Sequence, residues 1–302
     1  VFAIIAAGYI AGRAGVLGEE SAVALNRFVF YFALPPVLFV FPARHPIGEV
    51  LNGPFIAAFL CGAAATLALA FAVNRIWHRH SPPVFALQGL NAIYPNTSYM
   101  GVPLFLTAFG PDGAMPAIVA TLLGITLMVG GAIAALEAAR AKGPSGLKII
   151  REVTSVLVRN PLLIATALGI AASFLSVPIP LPIGNFLDLM ASAAGPAALF
   201  ALGLSLVGRS LFNGFSEVAW ITLLKLAAQP ALTWVMVTYV FDVDPYWGMS
   251  AVLLSALPVG AVAFVLAQQY DTYTRRTSAA IVMTTLLSVV TISALLIVLE
   301  VG

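Results

Sequence analysis

The chain is 302 residues long, 61% hydrophobic and 9% charged, with a net charge of +2. A soluble domain carries roughly a quarter of its residues as charges, so this composition excludes a soluble globular enzyme and points to an all-α polytopic membrane protein. The charges fall in short clusters between apolar runs of roughly 20 residues, about one bilayer crossing in helical form.

In chain order the runs predict ten transmembrane helices, over about 1–17, 21–41, 54–77, 83–110, 113–140, 158–178, 183–208, 214–241, 246–270 and 275–301. The first begins at Val1, already apolar and with no cleavable signal peptide, as expected of a span whose start is trimmed. The second is rich in bulky aromatics (Phe28, Phe30, Phe32, Phe39), which suit lipid or a partner subunit. The third carries the single cysteine, Cys61, expected to be a packed core thiol. Arg75, His78, Arg79 and His80 follow as a basic juxtamembrane cluster. It lacks the Cys or carboxylate company of a metal site, and lipid headgroup contact accounts for it. Span 7 holds a stripe of small residues (Gly195, Ala197, Ala198, Ala201, Gly203), suited to a dimer or to a close helix contact within the chain.

Spans 4 and 9 are broken by proline. One reads Asn91-Ala92-Ile93-Tyr94-Pro95-Asn96-Thr97-Ser98-Tyr99-Met100-Gly101, the other Leu254-Ser255-Ala256-Leu257-Pro258-Val259-Gly260-Ala261. Proline removes a backbone donor and clashes with the preceding turn. Broken backbone survives in lipid only where protein buries it or where it lines a cavity. A matched pair of breaks points to a transporter's substrate site.

The two prolines are one repeat apart (258 − 95 = 163), and the same offset maps Pro82 onto Pro245, Ala117-Ile118-Val119 onto Ala280-Ile281-Val282, Thr121 onto Thr284 and Glu137 onto Glu300. The chain therefore reads as a first five-helix repeat over 1–140, a cytoplasmic linker over 141–157 and a second five-helix repeat over 158–302. Five is odd, so the second repeat enters the membrane from the opposite side and the repeats are inverted. Of the 14 basic residues, this scheme puts Arg44 alone on one face and Lys225 inside span 8, with all the others on the opposite face. The basic face is cytoplasmic, so both termini are expected on the non-cytoplasmic side. Asp112, Asp242 and Asp244 fall on that outer face.

A broken helix offers backbone N–H groups and a positive dipole end at the start of its second half, where an anion binds well. Those donors are expected from about Asn96 to Tyr99 and from about Val259 to Ala261. The expected substrate-binding residues are Asn91, Tyr94, Pro95, Asn96, Thr97, Ser98, Tyr99, Pro258, Val259 and Gly260. Asn96 is the leading carboxylate ligand, and capping of the second half-helix is a compatible role for it. Thr97 and Ser98 are hydroxyl donors or helix-terminus groups, Tyr94 and Tyr99 pocket walls or packing. Asn91 reaches the pocket or another span, with the second favoured. Lys225 lies about 15 Å into span 8 at helical rise. It serves charge coupling, as a counter-charge or in place of a cation, or else it snorkels to the headgroups or bonds carbonyls freed by Pro230. Glu137, Glu300 and Asp188 lie near span ends and are expected to be solvated.

Asn26-Arg27-Phe28-Val29 leading to Leu34-Pro35, the run from Pro95 to Leu104, and Ala256-Leu257-Pro258-Val259-Gly260 with Phe264-Val265 and Tyr270 resemble the auxin efflux carrier family over essentially the whole chain. That family includes plant auxin exporters and bacterial malonate and malate permeases. The plant members' long central loop is missing, so the chain resembles a bacterial-type member. The resemblance implies helices 4 and 9 crossing at mid-membrane, a scaffold and homodimer interface from helices 1, 2, 6 and 7, and a transport domain from helices 3–5 and 8–10. It also implies an elevator-type motion and small organic carboxylate substrates. Ser98-Tyr99 replaces the plant members' aliphatic pair and argues against auxin itself.

The expectation is a carrier of small organic anions in a bacterial inner membrane, with lipid as a partner and with no nucleic acid, cofactor, resident metal or enzymatic chemistry. Coupling to H⁺, to Na⁺ or to neither stays open. The alternatives are a sodium-coupled bile-acid-type symporter of similar fold, against which the scarcity of acidic residues argues, or an anion channel.

Overall fold

The computed structural model describes residues 2–45, 52–110, 112–140, 146–208 and 214–298. Glu300 and Lys142 lie outside them. The described residues form helices: α1 (Phe2–Arg13), α2 (Glu19–Arg44), α3 (Gly53–Trp77), α4 (Pro82–Ile93), α5 (Thr97–Phe109), α6 (Met115–Ala139), α7 (Gly146–Val158), α8 (Pro161–Phe174), α9 (Leu181–Ser205), α10 (Phe215–Val240), α11 (Pro245–Ser255), α12 (Val262–Gln269) and α13 (Thr274–Val298). Six of these (α2, α3, α6, α9, α10 and α13) are long and apolar enough to cross a membrane. Among the described residues no strand longer than an isolated bridge occurs.

Local chemistry sets the helix starts. Prolines occupy the first turns of α4, α8, α9 and α11, where no intrahelical N–H bond is lost. The Asn160 side chain caps α8 by accepting the Leu162 N–H, and Asp244 caps α11 by accepting from Tyr246 and Trp247.

The segment expected as the linker, 141–157, contains the helix Gly146–Val158. Leu147, Ile150, Val153 and Leu157 recur every three or four residues, opposite Lys148, Arg151 and Glu152, which is the signature of an amphipathic helix. Cys61, expected to be a packed core thiol, is instead exposed.

The chain divides into two compact units. Unit 1 comprises Val1–Asn52, Thr97–Leu122 and Val158–Gly208; unit 2 comprises Gly53–Asn96, Leu123–Leu157 and Arg209–Gly302. Within unit 1, α1 lies against α9 at backbone distance. A Cβ on Gly8 would collide with the Phe200 carbonyl, and one on Gly203 with the Ile5 carbonyl. Ala198 and Ala201 are fully buried beside them. Much of the small-residue stripe of span 7 is therefore used inside the chain, since small side chains let membrane helices approach closely. Gly169 of α8 meets the Phe39 backbone of α2 in the same way. In unit 2, α3 packs on α10 through Gly62 and Thr233, and Phe55 stacks on Phe59 at 5.9 Å and meets the Trp247 ring edge-on at 5.0 Å.

Candidate functional site at the helix crossover

In unit 2 two helices stop in mid-sequence. α4 ends at Ile93 and runs into extended backbone at Tyr94, and α11 ends at Ser255 and turns through Ala256 before the stretch around Pro258. The two extended stretches pair antiparallel, Pro95 opposite Val259. The Asn96 N–H donates to the Pro258 carbonyl at 2.8 Å and the Gly260 N–H to the Tyr94 carbonyl at 3.0 Å. The Val259 N–H donates to Thr284 Oγ1 of α13 at 3.1 Å. Three N–H groups expected to face an anion are thus engaged in building the crossover. Backbone inside an apolar interior has to pair with something, and the facing stretch is nearest.

Gly260 is required sterically. The Tyr94 ring lies where its Cβ would be, and the Pro95 carbonyl lies 3.1 Å from that point. On its other side the Tyr94 ring presses on Gly124, where a Cβ would come within 2.9 Å. Tyr94 is thus wedged between two glycines and packs.

Side chains carry the polarity left over. Asn96, Thr97 and Ser98 are consecutive and buried, and Asn96 Nδ2, Thr97 Oγ1 and Ser98 Oγ have no hydrogen-bond partner among the described residues. Buried polar atoms in folded proteins are nearly always paired, and those that are not call for an explanation. Asn91, one turn earlier, donates from Nδ2 to Thr277 Oγ1 at 2.9 Å and so ties α4 to α13. In unit 1, the Tyr99 hydroxyl donates to the Asn26 carbonyl at 3.3 Å.

Lys225 is fully buried and does not snorkel. It lies in a π-helical turn of α10, Leu224–Ala228, a distortion frequent at functional positions. Its Nζ donates to the Ser255 carbonyl at 2.6 Å and to Gln229 Oε1 at 2.6 Å. Gln229 Nε2 donates in turn to the Ile93 carbonyl at 2.8 Å. The acceptors are the last residues of α11 and α4, not carbonyls released by Pro230. The Lys225 amine and its Gln229 relay therefore supply donors to the carbonyl ends of both interrupted helices, which have no partner within their own helix. Gln229 follows Lys225 by one turn, which is the signal that sequence reading could have used.

Glu137 is not solvated. It is buried, and Tyr270 Oη donates to its Oε1 at 2.9 Å. Asp188 is half-exposed but paired, through a bidentate contact with Arg44. His80 is not a lipid-facing cation, because its Nε2 contacts Glu217 Oε1. Glu217 is itself buried and receives Arg276 Nε at 2.9 Å and Tyr273 Oη at 3.0 Å. Burial first, and the Glu217 carboxylate second, raise the pKa of the Tyr273 phenol and keep it protonated. Sequence reading missed this cluster, whose members come from three separate stretches of chain. Among the described residues no three His, Cys, Asp or Glu gather as metal ligands would.

A family model described as "Membrane transport protein" matches residues 1–296. A protein of Rhizobium meliloti (strain 1021) named "Putative malonate transporter" is 33% identical over 301 residues, covering 100% of this chain and 94% of its own length. An "Uncharacterized transporter" of Methanothermobacter thermautotrophicus is 28% identical over 296 residues, 97% of this chain and 94% of that protein. "Auxin efflux carrier component 8" of Arabidopsis thaliana is 24% identical over 318 residues, 87% of this chain and 86% of its own length.

Proposed function

This chain belongs to the membrane transport protein family, that of the auxin efflux carriers, and from that premise we propose that it carries small organic carboxylates across a bacterial inner membrane. The observation that carries the reading is the run of buried, unpartnered side-chain groups on Asn96, Thr97 and Ser98. A carboxylate accepts several hydrogen bonds and has no proton to place, so it complements an amide N–H and two hydroxyls. With the backbone N–H groups of Asn96, Val259 and Gly260 engaged in the crossover, Asn96 Nδ2 is the principal ligand, and the substrate's charge sits nearer Pro95 than Pro258. The relative's malonate name favours a short dicarboxylate. Ser98-Tyr99 disfavours auxin.

The wider scheme belongs to the same proposal. Ten spans form two inverted repeats of five, with both termini on the non-cytoplasmic side, and helices 3–5 and 8–10 move as an elevator against helices 1, 2, 6 and 7. Lys225 acts as a built-in cation at the crossover, which supports transport that needs no resident sodium ion. Because much of the small-residue stripe of α9 is occupied within unit 1, a homodimer would use the exposed apolar residues of α8 and α9, among them Leu168, Phe174, Phe186 and Leu189.

The test is uptake by purified protein in liposomes, with radiolabelled malonate, malate, succinate, an auxin and a bile acid. The expected result is saturable uptake of a small dicarboxylate that Asn96→Ala lowers at least tenfold. Wild-type uptake by that variant would overturn the site. Preference for the bile acid would overturn the substrate class, and uptake without saturation would indicate a channel.

A further inference from the structure

Unit 1 contains a cavity of about 640 Å³ walled by α2, α5 and α9, within the rough range of 300–1,000 Å³ that small-molecule sites occupy. Its polar lining gathers at one end. Arg44 and His45 stand at the end of α2, Thr107 lies in the last turn of α5, and Asp188 and Ser192 lie about two and three turns into α9. Further in, the walls are apolar, with Val37, Pro103 and Pro196. At the mouth Arg44 Nη1 and Nη2 donate to Asp188 Oδ1 and Oδ2, each at 2.9 Å, with the two side chains 46% and 48% exposed. Sequence reading puts Arg44 on its face of the membrane with no other lysine or arginine, so this guanidinium is the cation an anion meets there.

We propose that this cavity is a carboxylate subsite in which the incoming carboxylate takes the place of Asp188 on the Arg44 fork. A planar guanidinium offers two parallel N–H bonds to any carboxylate that reaches it. An ion pair this exposed is weak and screened by salt, so exchange of one carboxylate for another is easy. Asp188 then works as an internal competitor. A simple inorganic anion gains only the charge that Asp188 already supplies, whereas an organic acid adds contact between its carbon chain and the apolar walls. The subsite therefore selects carboxylates that carry an apolar remainder. The inference rests on the organic-anion reading of the protein for its choice of probe.

The full chain in liposomes, with Cys61→Ala and Ser192→Cys, reports occupancy through the labelling rate of the thiol at position 192 by a membrane-impermeant maleimide. Butylmalonate is expected to slow labelling at least fivefold and malonate to do so at higher concentration, while dimethyl malonate and chloride leave the rate unchanged. Adding Arg44→Gln removes the protection, and so does Arg44→Lys, which keeps the charge but loses the fork. Asp188→Asn keeps the fork, removes the competitor and lowers the half-protecting concentration. Equal protection by the ester, protection that survives Arg44→Gln, or an Asp188→Asn variant that needs more ligand would each overturn the subsite. Protection without malonate uptake would leave the subsite standing and sink the carrier reading; uptake without protection would do the reverse.

Discussion

Lys225 holds together two helix ends that the chain itself leaves open. The carbonyls of Ile93 and Ser255 end interrupted helices, and one lysine amine with one amide satisfies both. Lys225→Met keeps the length of the side chain and removes the donor. The Ser255 carbonyl and Gln229 Oε1 then lose it, and a buried acceptor left unpaired costs about 1–3 kcal/mol. The expected outcome is a lower unfolding temperature in detergent together with reduced carboxylate uptake. A variant as stable as the parent would show that Lys225 is not what ties the half-helices. Residues of this kind were legible in the sequence because they are rare in their setting: one lysine deep in a span, and one Asn-Thr-Ser run after a proline. Their partners were not. Glu217 reads as an ordinary first-turn acid, and only the fold brings it to His80, Tyr273 and Arg276.

At the level of elements, the breaks were legible because proline has a fixed physical consequence, and α4 and α11 end within a few residues of Pro95 and Pro258. What the breaks do with their backbone was not legible. Expectation assigned the N–H groups of Asn96, Val259 and Gly260 to a ligand, whereas each finds a partner in the facing strand or in α13. Periodicity cannot show that, because the pairing depends on which segments meet. The helix α7 lies within the segment expected as the linker, and its apolar residues keep helical spacing. Thr284 gives the test at this scale. Thr284→Val keeps the branched shape but leaves the Val259 N–H without its acceptor, with an expected loss of about 1–3 kcal/mol and of most uptake. The repeat-related Thr121 donates to the Ala117 carbonyl inside its own helix, so Thr121→Val is expected to change both readouts little. Equal effects from the two substitutions would mean that Thr284 has no special part in the crossover.

The whole molecule is organised by charge as much as by hydrophobicity. His80 follows α3, Glu217 lies in the first turn of α10 and Arg276 in the first turn of α13, and the three meet within unit 2. Orientation rests on the excess of lysine and arginine on one face, which in bacteria lies towards the cytoplasm. Two positions in unit 1 separate the alternatives. Val16, after α1, and Val177, before α9, are 74% and 52% exposed and lie at the ends of spans 1 and 6, which the ten-span scheme puts on opposite sides. With Cys61→Ala as background, Val16→Cys and Val177→Cys are each probed in intact cells with an impermeant maleimide. Val177→Cys is expected to label from outside, and Val16→Cys only after the membrane is permeabilised. The reverse pattern would invert the molecule and turn the Arg44 cavity towards the cytoplasm. Labelling of both positions from outside would remove a span from between them and break the odd count per repeat, and with it the reason for reading the repeats as inverted.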